Sequence, residues 1–304
     1  MNNTNIQRNF IIGDEWNYLK IYTGFKTADT ILTHCIYPMI TFLKGNKIID
    51  KWFFLRYADP EFHLRIRFHV NNPNYISVVM MNVNKALKKY VNNNLVWKVQ
   101  IDTYKRELER YGLEAMELSE TLFWYDSEMI CNIIASDVIK QDENLRCLLG
   151  LKMIDTLLTD FGYSLQEKWD LINISQERFK KEFGINAVSK RQFGQKYRIL
   201  KSYIEKILDT NAEQEELYSS LFIPIHEKSK ATESIVEEIK KRMRISDNPS
   251  ITDLLYSYIH IMLNRLILTQ PRMHELVLYD YLFRYYNSLL ARQGGKTKEI
   301  TNHS

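Results

Sequence analysis

The hydrophobic period of this chain changes once, and that change restricts the folds open to it. In the first third, short segments alternate apolar and polar residues or run together aromatic and β-branched ones: Trp16 to Tyr22, Trp52 to Tyr57, His63 to Val70 and Trp97 to Asp102. Segments of this kind turn successive side chains to opposite faces and predict strands. From about residue 114 the apolar spacing becomes three-to-four, which predicts helices. Helices are expected over 28–44, 74–92, 114–140, 143–161, 175–183, 189–210, 230–243, 251–268 and 272–291. Ser250 followed by Asp253 reads as a capping box at the start of the eighth, and Pro271 suits the first turn of the ninth. The expected class is α+β: a small, mainly antiparallel sheet in the N-terminal third with a large helical complement.

Glycine and proline number only 10 and 6 in 304 residues, and no Gly/Ser/Pro-rich linker or internal repeat divides the chain. The expectation is one domain over residues 1–293, followed by a disordered polar tail over 294–304, GGKTKEITNHS. A net charge of +4, without a stripe of consecutive basic residues, argues against direct nucleic-acid binding. Cys35, Cys131 and Cys147 form no CxxC pair, so neither a disulfide framework nor a metal site is expected, and no cofactor either. The N-terminus has no signal-peptide pattern and no apolar run reaches membrane-spanning length, which points to a cytoplasmic protein.

Within WFFLRYADPEFHLRIRF, residues 52 to 68, strict alternation sets His63, Arg65, Arg67 and His69 on one strand face and Leu64, Ile66, Phe68 and Val70 on the other. The preceding run from Trp52 to Tyr57 is apolar except at Arg56, and Ala58-Asp59-Pro60-Glu61 supplies turn residues between them. A solvated face with Arg65 and Arg67 paired to Asp59 and Glu61 would show the same alternation. The choice of guanidinium over ammonium favours recognition of a carboxylate or phosphate, because the planar fork binds such groups bidentately.

Two further segments carry polar groups. DTYKRELERYG, residues 102 to 112, places Arg106 and Arg110 four apart, on one face if the segment is helical, with Glu107 and Glu109 available to neutralise them. FWYDS, residues 123 to 127, sets Asp126 in an aromatic run, where a cap or buried hydrogen-bond anchor is the ordinary role. In YSYIHIMLNRL, apolar residues cover most of the helix, leaving His260 and Asn264 at i, i+4 beside Tyr256. Buried polar groups there need partners, and no second histidine stands at zinc-ligand spacing.

In this order, RYADP…HLRIR, YKRELERYG, FWYDS and H-x-x-x-N-R resemble the C-terminal domain of class I lanthipeptide dehydratases and the related thiopeptide biosynthesis proteins. The resemblance implies a stand-alone lyase that eliminates glutamate from glutamylated serine or threonine of a precursor peptide, leaving dehydroalanine or dehydrobutyrine. It implies a separate tRNA-dependent glutamylating protein as partner, and allows for a cyclase and for a homodimer. By the same resemblance Arg65 or Arg67, with Arg106 or Arg110, would hold glutamate carboxylates and His260 would transfer a proton. Arg56, Tyr57, His63, Asn264 and Arg265 would support them. The chain departs from the family pattern at Met262, where a second histidine is common, and at Leu113, where a second glycine is. Two other activities compete: a [4+2] cycloaddition that forms a pyridine ring from two dehydroalanines, and non-catalytic binding of the precursor peptide.

Overall fold

The computed structural model describes the backbone of residues 6–208, 216–245 and 248–301. It is α+β, with its strands confined to the N-terminal part. Two compact units are present: residues 1–141 with 230–269, and residues 142–229 with 270–304.

In the first unit, β1 (Asn9–Phe10) is followed by β2 (Trp16–Thr23), α1 (Phe25–Ile31), a π-helical turn (Leu32–Ile36) and α2 (Tyr37–Gly45). Then come β3 (Ile49–Ala58), β4 (Phe62–Val70), α3 (Ile76–Asn92), β5 (Val96–Asp102) and β6 (Tyr104–Lys105). The long α4 (Leu108–Ala135) and short α5 (Asp137–Gln141) complete the first segment. The expected helix over 28–44 is thus interrupted by a π-helical turn.

Four strands form an antiparallel sheet in the order β3-β4-β2-β5, with β1 and β6 paired separately. Its register makes two unlike faces, because directly opposed residues share a face. Trp52, Phe54, Leu64, Ile66, Phe68, Leu19 and Ile21 are all buried on one. Tyr37 from α2 lies against Trp52, and Asp29 from α1 reaches Arg56 on that same side. The other face carries cross-strand rows: Phe53–Arg67–Tyr18–Asp102, Leu55–Arg65–Lys20–Gln100 and Tyr57–His63–Tyr22–Lys98. Alternation within each strand therefore assigns one face to the core and the other to polar chemistry.

Gly112 bends the start of α4. Its φ is +70°, and a Cβ there would stand 2.8 Å from Pro249 Cδ, so any other residue would be both strained and crowded. The bend sets Tyr111 under the sheet's polar face. The first unit ends with α9 (Glu216–Met243) entering at residue 230 and α10 (Ile251–Leu266), whose Ser250 cap and Asp253 form the expected reciprocal box.

The second unit is helical, built from α6 (Glu143–Asp160), α7 (Leu165–Glu182), α8 (Ala187–Leu208), the first part of α9 and α11 (Pro271–Thr301). Helix α7 begins ten residues before the expected 175 because Ser164 and Glu167 form a capping box. Asp155 accepts hydrogen bonds from Lys168 Nζ and from the Tyr286 hydroxyl, both at 2.7 Å, tying α6 to α7 and α11. The backbone of α11 is helical to Thr301; the rest of the expected tail, residues 302–304, lies outside the described residues.

A candidate anion site on the polar sheet face

Arg67 is only 8% exposed, which excludes the solvated-face reading for this residue. Its guanidinium carbon lies 4.5 Å from the Tyr18 ring centre, 4.7 Å from Tyr104 and 5.1 Å from Phe53. Three ring faces thus hold a desolvated cation in place. Among the described residues, the Arg67 Nε–H finds no hydrogen-bond acceptor. A buried donor left unmet costs about 1–3 kcal/mol, so the position is suited to an incoming anion.

Arg265 faces the same space. It is fully buried, and one of its terminal nitrogens likewise has no hydrogen-bond partner among the described residues. Burial pulls its pKa down to about 10 against the opposing charge of Asp126, with Arg67 adding to the depression. Both guanidiniums line a cavity of about 30 Å³ together with Tyr104, Glu107, Tyr111 and Ile261. That is room for roughly two water molecules, the scale of a carboxylate's oxygens rather than of a whole peptide. Burial also pushes the Tyr111 hydroxyl up to about 12, so at neutral pH it stays protonated and can donate.

Arg65, two residues from Arg67, meets a different environment. Its guanidinium stacks 3.4 Å from the Tyr57 ring centre, and its Nε donates to His63 Nε2 at 3.2 Å. The His63 Nδ1–H donates to the Glu61 carbonyl at 2.8 Å, a tautomer consistent with the Arg65 contact. Burial depresses the His63 pKa, and Arg65 and Lys20 add to this against the Glu61 hydrogen bond. His63 and Tyr57 thus fix Arg65 on the open part of the polar face. Neither Asp59 nor the Glu61 carboxylate is its partner in any described ion pair.

The segment that carries Arg106 is not helical at that residue: α4 starts at Leu108, and the Arg106 amide bonds to the Arg8 carbonyl beside β6. Arg106 is buried and held by Glu120 through two bonds, Nε at 2.8 Å and a terminal nitrogen at 2.7 Å. Glu120 also accepts from the Tyr104 hydroxyl at 2.8 Å, so Arg106 supports the ring that packs on Arg67. Arg106, Glu117, Glu120, His69 and Lys51 line a second, larger cavity of about 540 Å³. Arg110, by contrast, is exposed in the first turn of α4 and pairs with Glu107 at 3.0 Å. Sequence spacing placed Arg106 and Arg110 on one helical face; the strand-to-helix junction between them separates their roles.

Arg56 projects from the opposite face of the sheet, next to Asp29 at 2.5 Å, and donates through Nε to the Arg265 carbonyl. Asn264 takes the Arg56 amide at 3.0 Å and returns a hydrogen bond to the Arg56 carbonyl at 2.9 Å. His260 is half-buried one turn earlier on α10 and does not line the cavity, whereas its neighbour Ile261 and Arg265 do. Asp126, buried in α4, stands 3.5 Å from Arg265. Tyr18, Tyr104, Tyr111 and Glu120 were not singled out from the sequence. Only the alternation of Tyr18 within β2 could have hinted at them.

Among the described residues no group of three or more His, Cys, Asp or Glu side chains is placed to hold a metal ion, and no helix is long and apolar enough to cross a membrane. Burial pushes the Cys35 thiol up to about 12 and Cys147 up to about 11, which keeps both protonated at neutral pH.

Fold and site together define an α+β protein in which two buried arginines, Arg67 and Arg265, line one small cavity. The chain belongs to the family described as lantibiotic biosynthesis dehydratase C-term, whose model matches residues 16–286. It is 27% identical over 267 residues to the epidermin biosynthesis protein EpiB of Staphylococcus epidermidis, covering 87% of this chain and 25% of EpiB. It is 32% identical over 135 residues to the nisin biosynthesis protein NisB of Lactococcus lactis subsp. lactis, covering 43% of this chain and 13% of NisB. The chain therefore spans a quarter or less of these relatives. The fold is shared with MibB, a tRNA-dependent lantibiotic dehydratase from Microbispora sp. 107891, at a TM-score of 0.67 and 20% identity over 92% of this chain and 29% of MibB. It is shared also with TbtD, a pyridine synthase from thiomuracin biosynthesis, at 0.65 and 11% identity over 90% of this chain and 99% of TbtD.

Proposed function

We propose that this chain eliminates glutamate from glutamylated serine or threonine residues of a precursor peptide, with the Arg67–Arg265 pocket receiving a carboxylate of the glutamyl group. The observation that carries this reading is the buried, aromatic-clasped Arg67, whose Nε–H has no acceptor among the described residues and which shares its cavity with Arg265. In the reaction a base takes the α-proton of the esterified residue, the electron pair forms the Cα=Cβ bond, and the Cβ–O bond breaks to release glutamate as its carboxylate. Negative charge builds on the enolate and then on the leaving group, and fixed cations in a dry site stabilise it most strongly there. Arg67 serves this role from within the pocket and Arg65 from the open face. His260 transfers the proton, Arg110 with Glu107 forms the rim, and Arg106 acts through Glu120 and Tyr104 as a positioning residue.

The test is to supply purified protein with a synthetic peptide bearing glutamyl-serine and follow free glutamate and peptide mass. Release of glutamate with formation of dehydroalanine is expected. Arg67→Met should slow the step about 10²–10³-fold, and His260→Ala should abolish it without loss of peptide binding. An ester that survives intact beside well-folded protein would overturn the reading. A peptide with two dehydroalanines, assayed in parallel for pyridine formation, separates elimination from cycloaddition.

A further inference from the structure

We propose that β5 is a docking edge for an extended peptide, which joins the sheet as a fifth strand; identifying that peptide as the glutamylated substrate rests on the elimination reading above. Strand β5 pairs with β2 on one side, and among the described residues no strand pairs with its other side. A free edge of this length exposes backbone donors and acceptors that pair readily with another chain. Its side chains alternate in the manner a strand partner would use. Trp97, Val99 and Ile101 are 52%, 40% and 42% exposed on one face, while Lys98 and Gln100 project on the other, beside Tyr22 and Lys20.

Charge selects the occupant. On the polar face Lys20 is already paired with Asp102, the one acid on that face of β5, which leaves Arg65, Lys98 beside Tyr22 and, just past the strand, Lys105 as cations with no ion pair among the described residues. Two copies of β5 pairing antiparallel about Gln100 would set Lys98 opposite Asp102 and leave Arg65 and Lys105 unneutralised. A peptide bearing carboxylates, as glutamyl groups would, neutralises them instead. Past Asp102 the chain continues into Tyr104 and Lys105, both of which line the Arg67 cavity. A peptide held along β5 is thereby led toward that cavity.

Amide hydrogen exchange on the full chain tests this, with a synthetic peptide of about ten residues that alternates valine with serine and bears one glutamyl-serine. Alternate amides within Val96–Asp102 should slow about tenfold or more when the peptide binds, and the Val99→Lys/Ile101→Lys variant should weaken its Kd about tenfold. Unchanged exchange on saturation, an unchanged Kd in a folded variant, or slowing that depends on protein concentration without peptide would each overturn the proposal. Slowed β5 amides without glutamate release would support docking and count against elimination. Glutamate release with β5 amides unaffected would do the reverse.

Discussion

The two outer strands of the sheet end in opposite ways. At β3, side chains from two helices occupy the backbone groups that a neighbouring strand would use. Ser127 accepts from the Phe54 amide at 3.2 Å, Arg265 Nε donates to the Phe54 carbonyl at 2.8 Å, and Asn264 engages both backbone groups of Arg56. At β5, the outer backbone groups meet no such side chains among the described residues, and apolar residues stand exposed beside them. The difference separates two uses of polar sequence motifs. Asn264 and Arg265 seal an edge first, and in doing so Arg265 is carried to the pocket wall opposite Arg67. The open edge has no comparable structural task, which leaves it available to a partner chain.

Substitutions on the sealed side should have the largest effects. Arg265→Ala leaves Asp126 and the Phe54 carbonyl buried without their cationic donor, and a loss of about 3–5 kcal/mol in urea-unfolding stability is expected. Should the loss be under 1 kcal/mol, the seal would be ornamental and the comparison would break. Asn264→Ala orphans the Arg56 amide and carbonyl at an edge that α10 covers, and about 1–3 kcal/mol is expected in the same measurement. The conservative Asn264→Asp retains an acceptor for the amide but not a donor for the carbonyl, so it should recover only part of that loss.

Acidity offers a finer comparison. His69, opposite Lys51 of β3, is opposed in its charging by burial, yet the hydrogen bond and charge of Asp50 at 2.5 Å, with Glu15, raise its pKa overall. A raised folded pKa contributes stability that is fully present below the unfolded value of about 6.5 and is lost as pH rises through the folded one. Unfolding midpoints measured across that interval should therefore fall toward alkaline pH, and Asp50→Asn should flatten this part of the profile. A slope unchanged by Asp50→Asn would assign it to another group. On the open side, Val99→Lys should move stability by no more than about 0.5 kcal/mol, since the side chain already meets solvent. A larger loss would mean that β5 is covered in solution.

Much of this arrangement was legible in the sequence. The period of two in HLRIR places Arg65 and Arg67 on the same face whatever strand pairs beside them, and the Ser250–Asp253 box starts α10 from local hydrogen bonding alone. Local periodicity likewise produced the α+β class and the four main strands, because it depends only on neighbouring residues. The extent of α7 was underestimated where the polar Ser164–Glu167 cap, rather than apolar spacing, set the boundary.

Local alternation and helical period set the face on which each cation stands within its own element. What each cation meets there depends on elements packed from elsewhere in the chain. Arg67 enters a ring of aromatics from three other strands while Arg65, two residues away, lies over Tyr57 at the open face. Arg106 finds its carboxylate on α4 at Glu120, and Asn264 finds its backbone partner 208 residues away at Arg56. A guanidinium pairs, stacks or waits for an anion according to how much water its surroundings exclude. That exclusion is created by elements distant in the chain, so local residue spacing could nominate the arginines but could not assign their tasks.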